Sequence, residues 1–155
     1  MSGAVPGEHP ERALVRRAIE AGLKDLPVTT NPLARALAMR LLEARAGWVR
    51  LAFTVPDDFT QGNGVVQGGI VAGMLDFGMV FAAFSQVPVE ATLATVAQTT
   101  NFFRAAMAGE LLVEAELEKV GRTLVNARAS LRSPDGVLLA GATAPIAVIA
   151  QRRSG

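Results

Sequence analysis

The sequence contains no cysteine. That removes disulfides, a thiol nucleophile and any thiolate metal site. It also fits a reducing cytoplasm, the expected compartment. Histidine is nearly as scarce. The single one, His9, lies in a Gly- and Pro-containing stretch, residues 1–10, that reads as a loose tail. Histidine-dependent zinc sites and Ser-His-Asp catalysis are therefore disfavoured, and no metal is expected. Net charge is close to nil: 15 Lys and Arg against 14 Asp and Glu leave +1. Neither nucleic acid nor a membrane surface is favoured as a partner by that balance. Residues 1–20 are polar and charged, without the apolar run of a signal peptide.

What remains is globular in character. Of 155 residues, 50% are hydrophobic and 19% charged, enough for one domain with a real core. The domain is expected over residues 11–150, with a polar tail at 151–155. Only the run Ile70–Val87 approaches the length of a membrane span. Asp76 stands inside it, at a cost of roughly 2.5–3.5 kcal/mol on insertion scales, so a packed protein interior is the better setting.

Periodicity supplies the elements. Leu14, Val15, Ile19 and Leu23 space a helix over Glu11–Lys24. Asn31-Pro32 starts another, with Asn as cap and Pro in the first turn. It is expected to run through Leu33, Leu37, Leu41 and Leu42 to about Ala46, where Gly47 ends it. Val49, Leu51, Phe53 and Val55 then alternate with Arg50, Ala52 and Thr54 as a strand. The segment Gly68–Ser85 is apolar nearly all round, which marks a buried helix. Its interior glycines, Gly73 and Gly78, each cost about 1 kcal/mol relative to Ala, and suit places where another element approaches closely. Beyond Pro88 everything reads as strand: Ala91–Phe103, Leu112–Val120, Thr123–Arg132 and Val137–Ile149, with Ser133-Pro134-Asp135-Gly136 as a hairpin turn. The predicted class is α+β: a curved antiparallel sheet wrapped around one long helix, with helices before it.

Asp76 is the one charged residue between Asp58 and Glu90. A carboxylate among apolar neighbours is costly unless paired. It is either a structural acid in a hydrogen-bond network or a base or nucleophile in a cleft. Gln67-Gly68-Gly69 opens the same helix, and the free N–H groups there can bind a developing oxyanion. Eight residues of helix rise about 12 Å. One substrate carbonyl therefore cannot meet both Gly68 and Asp76 of a single chain. Two antiparallel helices about a two-fold axis can present Gly68 of one chain and Asp76 of the other, so joint action requires at least a C2 dimer.

The run Gly64–Asp76 (GVVQGGIVAGMLD), followed by Thr92–Ala106, Gly109-Glu110 and Gly121-Arg122-Thr123, resembles the hotdog-fold thioesterases of the phenylacetate-degradation (PaaI-like) and 4-hydroxybenzoyl-CoA thioesterase group. The likeness spans about Leu33–Ile149. It implies an acyl-CoA thioesterase that hydrolyses an acyl-CoA or aryl-CoA to free acid and CoA, as a dimer or a dimer of dimers. It needs no cofactor beyond the CoA of its substrate. Asp76 falls on the catalytic carboxylate and Gly68 on the glycine whose N–H polarises the carbonyl. Gln61 falls on a residue that positions water or substrate. Thr95 falls near a Ser/Thr that orients the attacking water, with Thr92 and Thr99 as the fallbacks for that role. Gln67 and Gly69 flank the substrate. Gln67 departs from the group, where many members carry His; Gln cannot shuttle protons, which leaves Asp76 as the main acid–base group. CoA is a polyanion, so basic side chains are sought at the pocket mouth: Arg104 and Arg122 first, then Lys119 and Arg132. The alternatives are an acyl-CoA-binding or regulatory protein with little turnover, and a purely structural homo-oligomer.

Overall fold

The computed structural model describes residues 3–150. Helix α1 spans Pro10–Ala21; His9 caps it through Nδ1, which accepts from the Glu11 N–H at 3.2 Å, and Gly22 at φ 61° ends it. A left-handed residue after the last turn is the usual way to stop a helix. The stretch before it is held rather than loose. Glu8 is gripped by Arg12 and, bidentately at 3.0 Å, by Arg16. The Arg16 hydrogen bond holds the Glu8 carboxyl below its usual range, against the opposing effect of burial. The His9 ring stacks on Phe84 at 5.0 Å.

Strand β1 is the short pair Leu26–Pro27. Helix α2, Pro32–Ala36, starts as its sequence requires: the Asn31 side chain accepts from the Ala34 N–H at 2.8 Å, and Pro32 occupies the first turn. It does not continue to Ala46. Leu37 closes it, Ala38 takes φ 46°, and Arg40–Arg45 is strand β2. The leucines at 33, 37 and 41 are four apart, an interval that suits a helical turn and is also a multiple of the strand period. Burial decides between them. Leu37, Met39 and Leu41 are inside while Ala38 and Arg40 are exposed. Gly47, at φ 76°, shapes the β2–β3 hairpin instead of stopping a helix.

Strand β3 is Trp48–Val55 and helix α3 is Gly68–Phe84. The expected long strand 91–103 is two pieces, β4 (Ala91–Thr95) and β5 (Thr99–Phe102). Then come β6 (Gly109–Val120), β7 (Leu124–Arg132) and β8 (Leu138–Ala150). All pairs are antiparallel, in the order β1-β2-β3-β6-β7-β8-β4, with β5 also on β8. Helix α3 packs on β3, β6, β7 and β8, as the burial of its Met74, Leu75, Met79 and Phe81 demands. Gly78 is the point of closest approach: a Cβ there would lie 2.6 Å from Val113 Cγ1. Gly73 has open space beside it, so close packing does not explain that glycine. Among the described residues, no helix is long and apolar enough to cross a membrane.

The break between β4 and β5 has a local cause. Val96 donates to the Pro145 carbonyl at 3.0 Å. An antiparallel ladder would return a bond from the residue-145 N–H, which proline lacks. The edge chain leaves the ladder there and rejoins it at Thr99↔Thr143, having used one residue more than β8.

Candidate active site

Helix α3 begins without a side-chain cap. The Gln67 side chain caps nothing, while its carbonyl accepts from Ile70 and Val71 N–H at 2.9 and 3.1 Å. Among the described residues the Gly68 and Gly69 N–H groups have no acceptor. These are the orphan donors that any helix start exposes, at its positive dipole end.

A cavity of about 410 Å³ opens beside this helix start. It is lined by Gly68, Gln61, Val71, Phe102, Phe103 and Arg104, among others. The loop that carries Gln61 is held in place on both sides. Its turn uses positive φ at Gly62, Asn63 and Gly64, the Gln61 N–H donates to the Val65 carbonyl at 2.9 Å, and the Val66 N–H donates to the Ala106 carbonyl at 2.8 Å. Phe103 and Arg104 are fixed by N–H bonds to the Leu139 carbonyl at 2.8 and 3.1 Å. The Phe102 ring stands over Gly68, 3.6 Å from where a Cβ would lie.

Asp76 lies two turns further along α3, half-buried, and does not line this cavity. Thr95, at the end of β4, donates its hydroxyl to Asp76 Oδ1 at 2.6 Å. With its proton committed to the carboxylate, Thr95 offers only lone pairs to a third partner. That suits a water whose own protons are leaving. No cation pairs with Asp76 among the described residues. Thr92 bonds the Ile149 carbonyl at 3.4 Å and Thr99 is exposed, so neither meets Asp76.

The predicted residues thus form two groups in one chain. Gln61, Gly68 and Arg104 share the cavity, and Asp76 and Thr95 form a pair apart from it. Gln67 and Gly69 are exposed next to the helix start without lining the cavity. Arg122 does not line this cavity of its own chain. It is exposed on the β6–β7 turn, while β6 begins at Gly109, beside the cavity loop. Twelve residues of strand put roughly 35 Å of chain between them. Lys119, near the same far end, is equally removed, and Arg132 lines a different depression beside the Ser133 turn. Sequence reasoning missed Phe102 and Phe103 as cavity walls, and it missed Gln98. Gln98 donates from Nε2 to the Ala72 carbonyl of α3 at 3.0 Å and to Thr100 Oγ1 at 2.9 Å. The one hint was the run Thr95–Thr100, which lacks strand alternation.

A sheet curved around one long helix, with a glycine-opened helix start and a lone acid, defines a hotdog-fold protein. The thioesterase superfamily matches over residues 63–140, and the chain belongs to it. A protein of Deinococcus radiodurans, provisionally named an esterase, is 36% identical over 109 residues, 69% of this chain and 72% of that one. A thioesterase family protein from Silicibacter pomeroyi superposes with TM-score 0.74 at 31% identity, covering 78% of this chain and 91% of its own. A phenylacetic acid degradation-related protein from Ralstonia eutropha JMP134 gives TM-score 0.74 at 30% identity, over 86% and 98%. Thioester hydrolysis is the reaction class of this chain's family.

Proposed function

We propose that the protein hydrolyses an acyl-CoA or aryl-CoA thioester to the free acid and CoA, with no added cofactor. The observation that carries this reading is the Thr95–Asp76 bond on the helix that begins with the free Gly68 N–H. Gly68 N–H donates to the thioester carbonyl oxygen and stabilises the negative charge that develops on it as the tetrahedral state forms. Asp76 either removes a proton from water that Thr95 holds, or attacks the carbonyl itself and is released by water. Either way, water supplies the acid's oxygen and a proton for the departing thiolate. Arg104 is the cation best placed for a CoA phosphate, since it alone of the proposed basic residues lines the cavity.

Gly68 and Asp76 stay about 12 Å apart along their shared helix, so the working site draws them from two chains of a C2 dimer. The open β4–β5 edge supports this. Val96, Phe102, Phe103 and Met107 on and around it are each more than half exposed, an arrangement that a second copy would cover. A dimer of dimers builds on the same unit. A binding protein with little turnover is the second reading, favoured by Gln67, whose amide beside the helix start cannot shuttle a proton.

The test is release of free thiol from a panel of acyl-CoAs and aryl-CoAs by wild type and Asp76→Asn. The substitution is expected to lower kcat/KM by about 10³ or more. Hydrolysis that survives it removes Asp76 from the chemistry. Saturable CoA-ester binding without turnover selects the binding protein, and a monodisperse monomer defeats the shared site.

A further inference from the structure

Gln98 occupies the break between β4 and β5, where Pro145 interrupts the ladder. Both protons of its side-chain amide are used: one reaches the Ala72 carbonyl of α3, the other Thr100 on β5. The Ala72 carbonyl is already the helical acceptor for the Asp76 N–H, four residues on. That carbonyl therefore has no need of a second donor. Gln98 is half-buried and can be solvated without it. What the bond does achieve is geometric. It ties the edge chain to α3 at the turn that carries Asp76, while Thr95, three residues earlier, ties the same edge to the Asp76 carboxylate. Two ties fix the helix against β4 both along its axis and in rotation.

We propose that Gln98 is a positioning residue. Acting through the α3 backbone, it holds the Asp76 carboxylate at hydrogen-bonding distance from Thr95. The proposal rests on Asp76 being the reacting carboxylate. Productive sites tolerate only about 0.5 Å of misplacement, and a shift of α3 by that much costs turnover rather than binding.

The test compares Gln98→Met, which keeps length and loses the donor, with Thr95→Val, the double variant, Thr100→Val and Asp76→Asn. Steady-state kinetics on the best substrate of the panel and melting temperature are measured for each. Gln98→Met is expected to lower kcat about tenfold with KM and melting temperature near wild type. In the Thr95→Val background its further cost falls below about twofold, because the bond it supports is already gone. Thr100→Val, which frees half of the Gln98 amide, gives a smaller loss of the same kind. Wild-type kcat in Gln98→Met overturns the proposal, as does a loss that multiplies in full with Thr95→Val or one confined to melting temperature. If Gln98→Met does not fold, wild-type kcat in Thr100→Val overturns it equally. Hydrolysis surviving in Asp76→Asn removes the underlying reading and this proposal together. Loss there beside an unchanged Gln98→Met removes only the role of Gln98.

Discussion

From Gly68 to Asp76, helix α3 buries three residues, Val71, Met74 and Leu75; from Phe77 to Phe84 it buries six, Gly78, Met79, Phe81, Ala82, Ala83 and Phe84. Each half holds a glycine at a decisive point, for opposite reasons. At Gly68 a Cβ would find room, 3.6 Å from the Phe102 ring, so what matters there is the N–H. At Gly78 a Cβ would collide with Val113 and press on Ala115, so what matters there is the missing side chain. One helix thus anchors itself with its second half and presents free backbone and a carboxylate with its first. Rigid support beside an exposed reacting surface is what preorganisation requires.

Substitutions can break this contrast. Of the substitutions that compare the two glycines and α1, those at Gly68 are expected to have the largest effect, below that of Asp76→Asn. Proline is tolerated in the first helical turn and removes only an N–H that makes no helical bond, and Gln67 already has the extended ψ of 135° that a following proline favours. Gly68→Pro should therefore leave the fold intact and cost about 10²–10³ in kcat, while Gly68→Ala, which keeps the donor, stays near wild type. Equal losses in both would mean that space rather than the N–H matters, and the two glycines would no longer differ in kind.

Gly78→Ala should do the reverse. Overpacking against Val113 is expected to cost about 1–3 kcal/mol of stability, seen in denaturant or thermal unfolding, with kcat per folded molecule little changed. A kcat that falls in step with stability would show that the two halves are not separable.

The smallest effect lies where α1 clamps the end of the buried half. Arg12 donates to the Val87 carbonyl at 3.1 and 3.2 Å, and Glu8 links Arg12 to Arg16. Because Arg16 lowers the Glu8 carboxyl below its ordinary value of 4.5, this link stabilises the fold above that value. The stabilisation fades as pH falls through the lowered one. Arg16→Ala should lower the melting temperature at neutral pH by a few degrees at most, converge with wild type in acid, and leave hydrolysis unchanged. A gap that persists in acid would rule out the Glu8 pairing as its source.

Much of this contrast is legible in the sequence. A solitary acid and a glycine pair in an apolar run are visible by composition alone, and 3.6-residue spacing placed α1 and α3 to within a few residues. What escaped depends on partners distant in the chain. The segment Arg40–Arg45 looked helical because leucines four apart serve either period, and only its seat beside β3 decides. Arg122 looked close to Arg104 in function because nothing in a sequence says at which end of a sheet a turn lies. Gln98 is a polar residue in a strand-like run until Pro145, 47 positions later, is known to face it.

The missing N–H of Pro145 has one more consequence, and it concerns odd and even. In an unbroken strand Thr95 would share its face with Ala97, Thr99 and Asn101, all of which are exposed. The extra residue in the break exchanges parity, so that Thr95 shares a face with Gln98, Thr100 and Phe102 instead. Removing one residue between Thr95 and Gln98 would restore the plain two-residue period and leave Gln98, Thr100 and Phe102 on the Thr95 face, paired with β8 as before. The break lets the edge carry an odd residue without losing step with β8, so a length change there leaves the site in place as long as Thr99 keeps its pairing with Thr143.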